Sequence, residues 1–278
     1  MNITDTHVHV WDFSRYSYSW TNAVPLLNRS FLIEEYDDAT RNVEISKVVL
    51  VEADVDEPHI AAETGYLLAL ADRNPRIAGV VASGRPEAND FARYLEEIAG
   101  HGKLKGIRRV LHTQPDELGE SGLFAENIRR LEKYRLSFDL CVLDRQLPVA
   151  IGLVKACPAV SFILDHCGCP QPKGKGFNVW SERVEQLAGF TNVACKVSGL
   201  AGYTGHDDWS VEDVRLRVDW VVRCFGWDRL VFGSDWPVCR LSTCPREWVD
   251  VMCALTRDQS ESNRRRLFSE NAKRLYHF

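Results

Sequence analysis

No stretch of this 278-residue chain approaches the roughly 20 consecutive apolar residues that a membrane-spanning helix requires. Positive charge is also scarce. The formal net charge is −5, and the one dense basic cluster, Arg264-Arg265-Arg266, fits a solvated helix face better than a phosphate site. That balance argues against nucleic acid as the main partner. Nine cysteines lack the repeated spacing of a metal finger, and with their odd number they are expected as reduced thiols in a cytosolic protein. The first strand-like segment begins directly after position 1, which leaves no room for a signal peptide, so a soluble, cytoplasmic protein is expected. No glycine-serine or proline-rich linker and no internal repeat divides the chain. With 45% hydrophobic residues it suits a single domain over 1–278, since α/β barrels reach about 250 residues undivided.

Eight short segments rich in Val, Ile, Leu and Phe and bounded by Gly, Pro, Asn or Asp predict strands over 3–10, 47–53, 77–82, 104–111, 136–142, 160–165, 192–197 and 229–232. Helical periodicity fills the gaps between many of them. Ile60, Thr64, Leu67, Leu68 and Ala71 form one such face, and Val211, Val214, Val218, Val221 and Phe225 another. Alternating strand and helix selects a parallel sheet with crossover helices, and eight repeats predict closure into a (β/α)₈ TIM barrel, an α/β fold.

In such barrels the chemistry sits at the C-terminal strand ends. Those ends carry His7 and His9, Glu52, Arg108 with His112, Asp139, His166, Lys196 or Ser198, and Asp235. Ionisable groups at nearly every strand end are explained by convergence on one site, because a buried unpaired charge is costly. Plainer readings exist for some: Glu52 and Asp139 as helix caps, Lys196 paired to a neighbouring acid, His112 on an exposed loop. His7 and His9, two apart on a strand, face the same way. Alternation likewise puts Arg108 and His112 on one face and Arg109 on the other. The set His7, His9, His166 and Asp235 suits one divalent metal, expected to be Zn²⁺, with a position left for water. Without metal, Asp235 can still accept a proton from a water that the histidines orient. Trp11, Trp20, Trp180 and Trp236 suit the apolar face of a sugar, with Glu52 and Asp139 for its hydroxyls, although about half of the eight tryptophans are expected in the core. Cys167 and Cys169 read as packing residues.

These residues lie in pieces that resemble the amidohydrolase superfamily, in its amidohydrolase-2 branch of sugar-lactone hydrolases. The matching pieces are Asp5 to Trp11, Lys105 to Arg108, Phe138 to Pro148, Leu164 to Gly168, Cys195 to Leu200, and Phe232 to Val238, in the family's order. The resemblance implies a hydrolase that opens an L-fucono- or L-rhamnono-type lactone to its aldonate. Asp235, His166 and Arg108 would be catalytic, and Trp11, Glu52, His112, Asp139 and Trp236 would bind substrate. The expected partner is a small-molecule sugar lactone. Where many superfamily members carry a strand-four lysine or glutamate that bridges two metals and further histidines on strands five and six, this chain has Arg108, Asp139 and one central histidine, His166, which does not support a binuclear centre. Cys169-Pro170 replaces a lysine-proline pair, and His112 replaces a glutamine-like residue. Lys173-Gly174-Lys175-Gly176 becomes a loop near the pocket mouth. The branch also holds zinc-dependent decarboxylases of unsaturated acids, the alternative on this fold. A non-catalytic binding barrel would need Asp235 and His166 to be buried away from any pocket.

Overall fold

The computed structural model describes residues 2–171, 176–202 and 209–278. All eight expected strands form: β1 (Ile3–Val8), β2 (Ile45–Val51), β3 (Ile77–Ser83), β4 (Leu104–Val110), β5 (Ser137–Cys141), β6 (Ser161–Leu164), β7 (Val193–Val197) and β8 (Leu230–Phe232). They pair in parallel in chain order as one sheet. Its edges meet through a parallel bridge between Val8 and Trp236. The Asp235 N–H donates to the His7 carbonyl at 2.9 Å and the His9 N–H to the Trp236 carbonyl at 2.7 Å. The fold is therefore a (β/α)₈ barrel.

The helices are α1 (Ile33–Ala39), α2 (Ile60–Arg73), α3 (Phe91–Ile98), α4 (Asp116–Glu120), α5 (Gly122–Arg129), α6 (Leu131–Tyr134), α7 (Leu147–Ala156), α8 (Phe177–Ala188), α9 (Val211–Phe225), α10 (Pro245–Leu255), α11 (Glu261–Arg265) and α12 (Asn271–Tyr276). The expected apolar face of α2 is buried. In α9, Val214, Val218, Val221 and Phe225 are buried while Val211, in its first turn, is exposed. Ser210 caps α9 by accepting from the Asp213 N–H, and Gly226 ends it with φ of 64°, where a side chain would be strained. Among the described residues no helix is long and apolar enough to cross a membrane.

Strand alternation sorts the core into two parts. Val48 and Leu50 of β2 face the surrounding helices, whereas Val49 and Val51 point into the lumen. There they join Val81, Ile163 and Val231, and Ala272 and Tyr276 of α12 close the N-terminal end. None of the nine cysteines forms a disulfide among the described residues, and Cys167 and Cys169 are both buried. Lys173, Gly174 and Lys175 of the expected pocket-mouth loop lie outside the described residues.

Candidate active site

A cavity of about 220 Å³ opens at the C-terminal end of the barrel. That is below the roughly 300–1,000 Å³ of drug-sized sites, so its occupant is small. His9, Arg108, His112, His166 and Asp235 line it, and Trp11 and Trp20 supply aromatic walls. Strand ends β1, β4, β6 and β8 thus deliver their polar tips to one place.

His9 has its Nδ1 3.0 Å from the Val51 carbonyl and 2.9 Å from the Glu52 carbonyl. Carbonyls only accept, so Nδ1 carries a proton, and Nε2 stands 3.5 Å from Asp235 Oδ1. In His7 the assignment follows from Arg108, whose Nη1 donates to Nε2 at 3.2 Å. That leaves the Nδ1 proton facing Asp165 Oδ1 at 3.5 Å and Nε2 3.7 Å from Asp235 Oδ1. His166 Nδ1 lies 2.9 Å from Ser198 Oγ and 4.0 Å from Asp235 Oδ2. Burial, and next the Lys196 ammonium, push His7 well below the usual histidine range, and burial lowers His166. Both are neutral imidazoles at neutral pH. His166 and Asp235 both hold left-handed backbone, φ 51° and 62°, at a cost of order 1–3 kcal/mol each that the surrounding structure must outweigh.

This donor set fits a divalent cation. Ligand atoms of His7, His166 and Asp235 lie within 4.8 Å of one another, and His9 Nε2 stands next to them. Asp235 Oδ2 is buried and accepts no hydrogen bond from any described residue. Two neutral nitrogens and a carboxylate of this kind are borderline-soft N/O ligands, the type that zinc takes.

Beneath the cavity the lumen holds a run of paired charges. Glu52 Oε1 accepts from Arg108 Nε at 2.5 Å, and the Glu52 carbonyl accepts from Arg108 Nη2 at 2.7 Å. Burial alone would raise the Glu52 carboxyl, but Arg108 and the Asp54 N–H outweigh it and hold it below its ordinary value. Lys196 Nζ reaches Asp139 Oδ2 at 2.8 Å and Asp165 Oδ1 at 2.9 Å. Against the burial penalty, Lys196 and His7 keep Asp165 well below the usual carboxylate range. Asp139, in the same fully buried pair, is pushed up to about 6 by burial that Lys196 offsets only in part.

Three of the residues expected to bind substrate are not at the cavity. Asp139 is fully buried on Lys196, because its strand tip points into the lumen below the opening. Glu52 is buried too and is occupied by Arg108 and by the Asp54 N–H. Trp236 packs edge-on against Phe31 and Tyr36, ring centroids 5.6 and 5.4 Å away, outside the barrel wall. Trp180 is likewise a core residue, its indole N–H bonded to the Cys167 carbonyl. His112, Trp11 and Trp20 do line the cavity, and Arg109 turns away to Glu87 at 2.9 Å. Cys141 and Asp54, which strand-end reading passed over, line it as well. Cys141 Sγ lies 3.4 Å from His112 Nδ1. Burial raises that thiol, while burial and then Arg108 lower His112 to about 4, so both groups are neutral at neutral pH. Inward alternation from Asp139 to Cys141 was the available signal for Cys141.

Sequence comparison gives 29% identity to an L-fucono-1,5-lactonase of Burkholderia ambifaria, over 86% of this chain and 81% of that one. A crystal structure of a Burkholderia multivorans amidohydrolase with bound zinc superimposes with a TM-score of 0.90 over the whole of both chains, at 28% identity. At 23% identity and a TM-score of 0.78, a Pseudomonas putida protein described as a putative 2-pyrone-4,6-dicarboxylic acid hydrolase shares the fold, over 99% of this chain and 97% of its own. The amidohydrolase family model matches residues 4–278. A match running from residue 4 to the last residue leaves no strand of the barrel outside it, and this chain belongs to the amidohydrolase family of hydrolases.

Proposed function

We propose that the chain, acting as one domain, opens a neutral, hydroxyl-bearing sugar lactone of the L-fucono- or L-rhamnono-type to its aldonate. The observation that carries this reading is the balance of charge around the cavity. Arg108 is the one arginine among its described lining residues, and two carboxylates, Asp54 and Asp235, line it too. A dicarboxylic acid would need more cations and would meet those two anions, which disfavours the decarboxylase reading. Two tryptophans beside polar side chains suit a sugar ring. Both Asp235 and His166 line the cavity, which disfavours a purely structural barrel.

In this mechanism water attacks the lactone carbonyl carbon. Asp235 accepts the water proton and returns it to the ring oxygen as the acyl C–O bond breaks, leaving a hydroxy acid. Three of Arg108's five N–H donors are engaged by Glu52 and His7, and the remaining ones polarise the carbonyl and hold the carboxylate that forms. His166, fixed by Ser198, orients the attacking water, and His112 at the cavity wall contacts the substrate through its Nε2. His7, His9, His166 and Asp235 would hold one Zn²⁺, which would acidify water there and polarise the carbonyl. Arg108 Nη1 already donates to His7 Nε2, the nitrogen that would face such a cation, so a metal-free form of the same site is the alternative.

A panel of aldonolactones, followed by pH indicator as acid is released, tests the reading, and failure to hydrolyse any of them overturns it. Metal analysis of protein purified without chelator is expected to give close to one Zn²⁺ per chain, falling sharply in His7→Ala and His9→Ala. Full activity in metal-free protein would overturn the zinc assignment alone.

A further inference from the structure

Asp54 has no part in the mechanism above, yet it is held at the cavity wall by an unusual arrangement. It follows β2 with φ of 48°, a left-handed conformation that few residues other than glycine adopt and that aspartate tolerates. Its backbone N–H is pinned by Glu52 Oε2 at 2.7 Å, while Oε1 of that same carboxylate grips Arg108. One buried side chain therefore locks the arginine and the wall residue together. The Asp54 carboxylate accepts no hydrogen bond from any described residue, and its nearest cation, Arg85, stands 3.8 Å away. Beside it, the Trp20 indole N–H donates to the Ala53 carbonyl at 2.8 Å, which seats an aromatic ring against the adjoining backbone. An acceptor with unused lone pairs next to an aromatic platform is what a polyhydroxylated ring requires, its hydroxyls needing acceptors and its C–H face an apolar surface.

We propose that Asp54 is the specificity-determining residue of this site, its carboxylate accepting hydrogen bonds from two adjacent hydroxyls of the substrate ring while Trp20 packs on the ring face. The assignment rests on the lactonase reading and names what that reading leaves open, the part of the substrate that is recognised away from the carbonyl. Burial and then Glu52 push Asp54 up to about 6, against the opposing pull of Arg85, Arg108 and Arg109. In mildly acidic solution protonation removes the charge and turns one of the two acceptor oxygens into a donor, so KM for a hydroxylated lactone rises as pH falls below about 6.

The test compares a polyhydroxylated 1,5-aldonolactone with hydroxyl-free δ-valerolactone, the latter read as substrate or as competitor. The variants are Asp54→Asn, which keeps the shape, and Asp54→Gly, which also relieves the backbone. On the hydroxylated lactone both are expected to lose about 10- to 150-fold in kcat/KM, the range for hydrogen bonds to a charged group, chiefly through KM. The constants for δ-valerolactone should move less than about 3-fold, well short of one such hydrogen bond. Equal losses on both lactones, a loss confined to kcat, or no loss on the hydroxylated one overturns the assignment while leaving the lactonase intact. Wild-type protein inactive on the hydroxylated lactone overturns both.

Discussion

The two ends of the barrel lumen are built from the same eight strands under the same alternation, yet they hold together differently. At the N-terminal end, Val49, Val51, Val81, Ile163 and Val231 meet Tyr276, and contact there is non-directional. At the C-terminal end, Glu52, Arg108, Asp165, Lys196 and Asp139 follow one another as a run of paired charges, with the neutral His7 ring set between Arg108 and Asp165. Each of those groups is buried, and each needs its partner. An apolar layer tolerates imperfect filling at modest cost, whereas a charged layer is stable only when complete. The lumen thus concentrates its demand for a complete set of partners beneath the proposed active site.

The largest contrast is in catalysis. Asp235→Asn keeps the shape of the side chain and removes the proton acceptor, so turnover should fall on the order of 10³-fold or more with circular dichroism unchanged. Near-normal turnover would move the base elsewhere. Next comes stability. Lys196→Met strands Asp139 and Asp165 and is expected to cost about 3–5 kcal/mol by denaturant unfolding, against about 1–3 kcal/mol for Val231→Ala. The Lys196→Met deficit should shrink as pH falls, because uncompensated buried carboxylates take up protons in the folded state first. Equal, pH-independent losses in the two variants would erase the distinction between the layers. A smaller effect separates neighbours on β4. Arg108→Lys should lose about 10²-fold in kcat/KM because an ammonium cannot reproduce the planar fork. Arg109→Lys, bonded to Glu87 away from the cavity, should be mild. Comparable damage from both would show that the strand's two faces are not distinct in function.

The smallest effect sharpens the comparison from outside the barrel. Glu63 of α2 is fully buried behind Ala53, and neither carboxyl oxygen makes a hydrogen bond of good geometry with the nearby Tyr18 hydroxyl or Ala53 N–H. Burial and then Glu52 push it up to about 8. Its folded-state value lies above the unfolded one of 4.5, so between these values the folded chain holds a proton that the unfolded chain has released. Its contribution therefore favours folding below about 4.5 and is lost as pH rises towards about 8. Glu63→Gln should flatten that part of the Tm against pH profile. An unchanged slope would mean that the carboxyl is already ionised.

The barrel was legible because each strand is a short apolar run with turn residues at its ends, and β3 and β4 were placed to within a residue. Helix α7 was not, since Leu147, Val149, Ala150, Ile151, Leu153 and Val154 are all buried and such a segment shows no polar face to reveal a helical period. Of the site, His7, His9, Arg108, His166 and Asp235 could be read because their positions relative to the strand ends fix where they point. Depth could not. Asp139 and Glu52 occupy the same kind of position but lie one layer down or behind an arginine, a difference set by strand stagger and not by local sequence. Asp54 escaped because it lies beyond the strand, in a conformation that only the fold imposes.

The seam that closes the barrel runs through the proposed ligand and base residues, since His7, His9 and Asp235 carry the backbone bonds that join the first strand to the last segment. During synthesis, His7 therefore waits for 227 further residues before its partner Asp235 is made. A nascent chain can pair its early strands and collapse, yet it holds no working centre until the circle is complete. Onset of activity is thus a clock for ring closure, and unlike a spectroscopic signal it cannot be mimicked by an arc of seven strands.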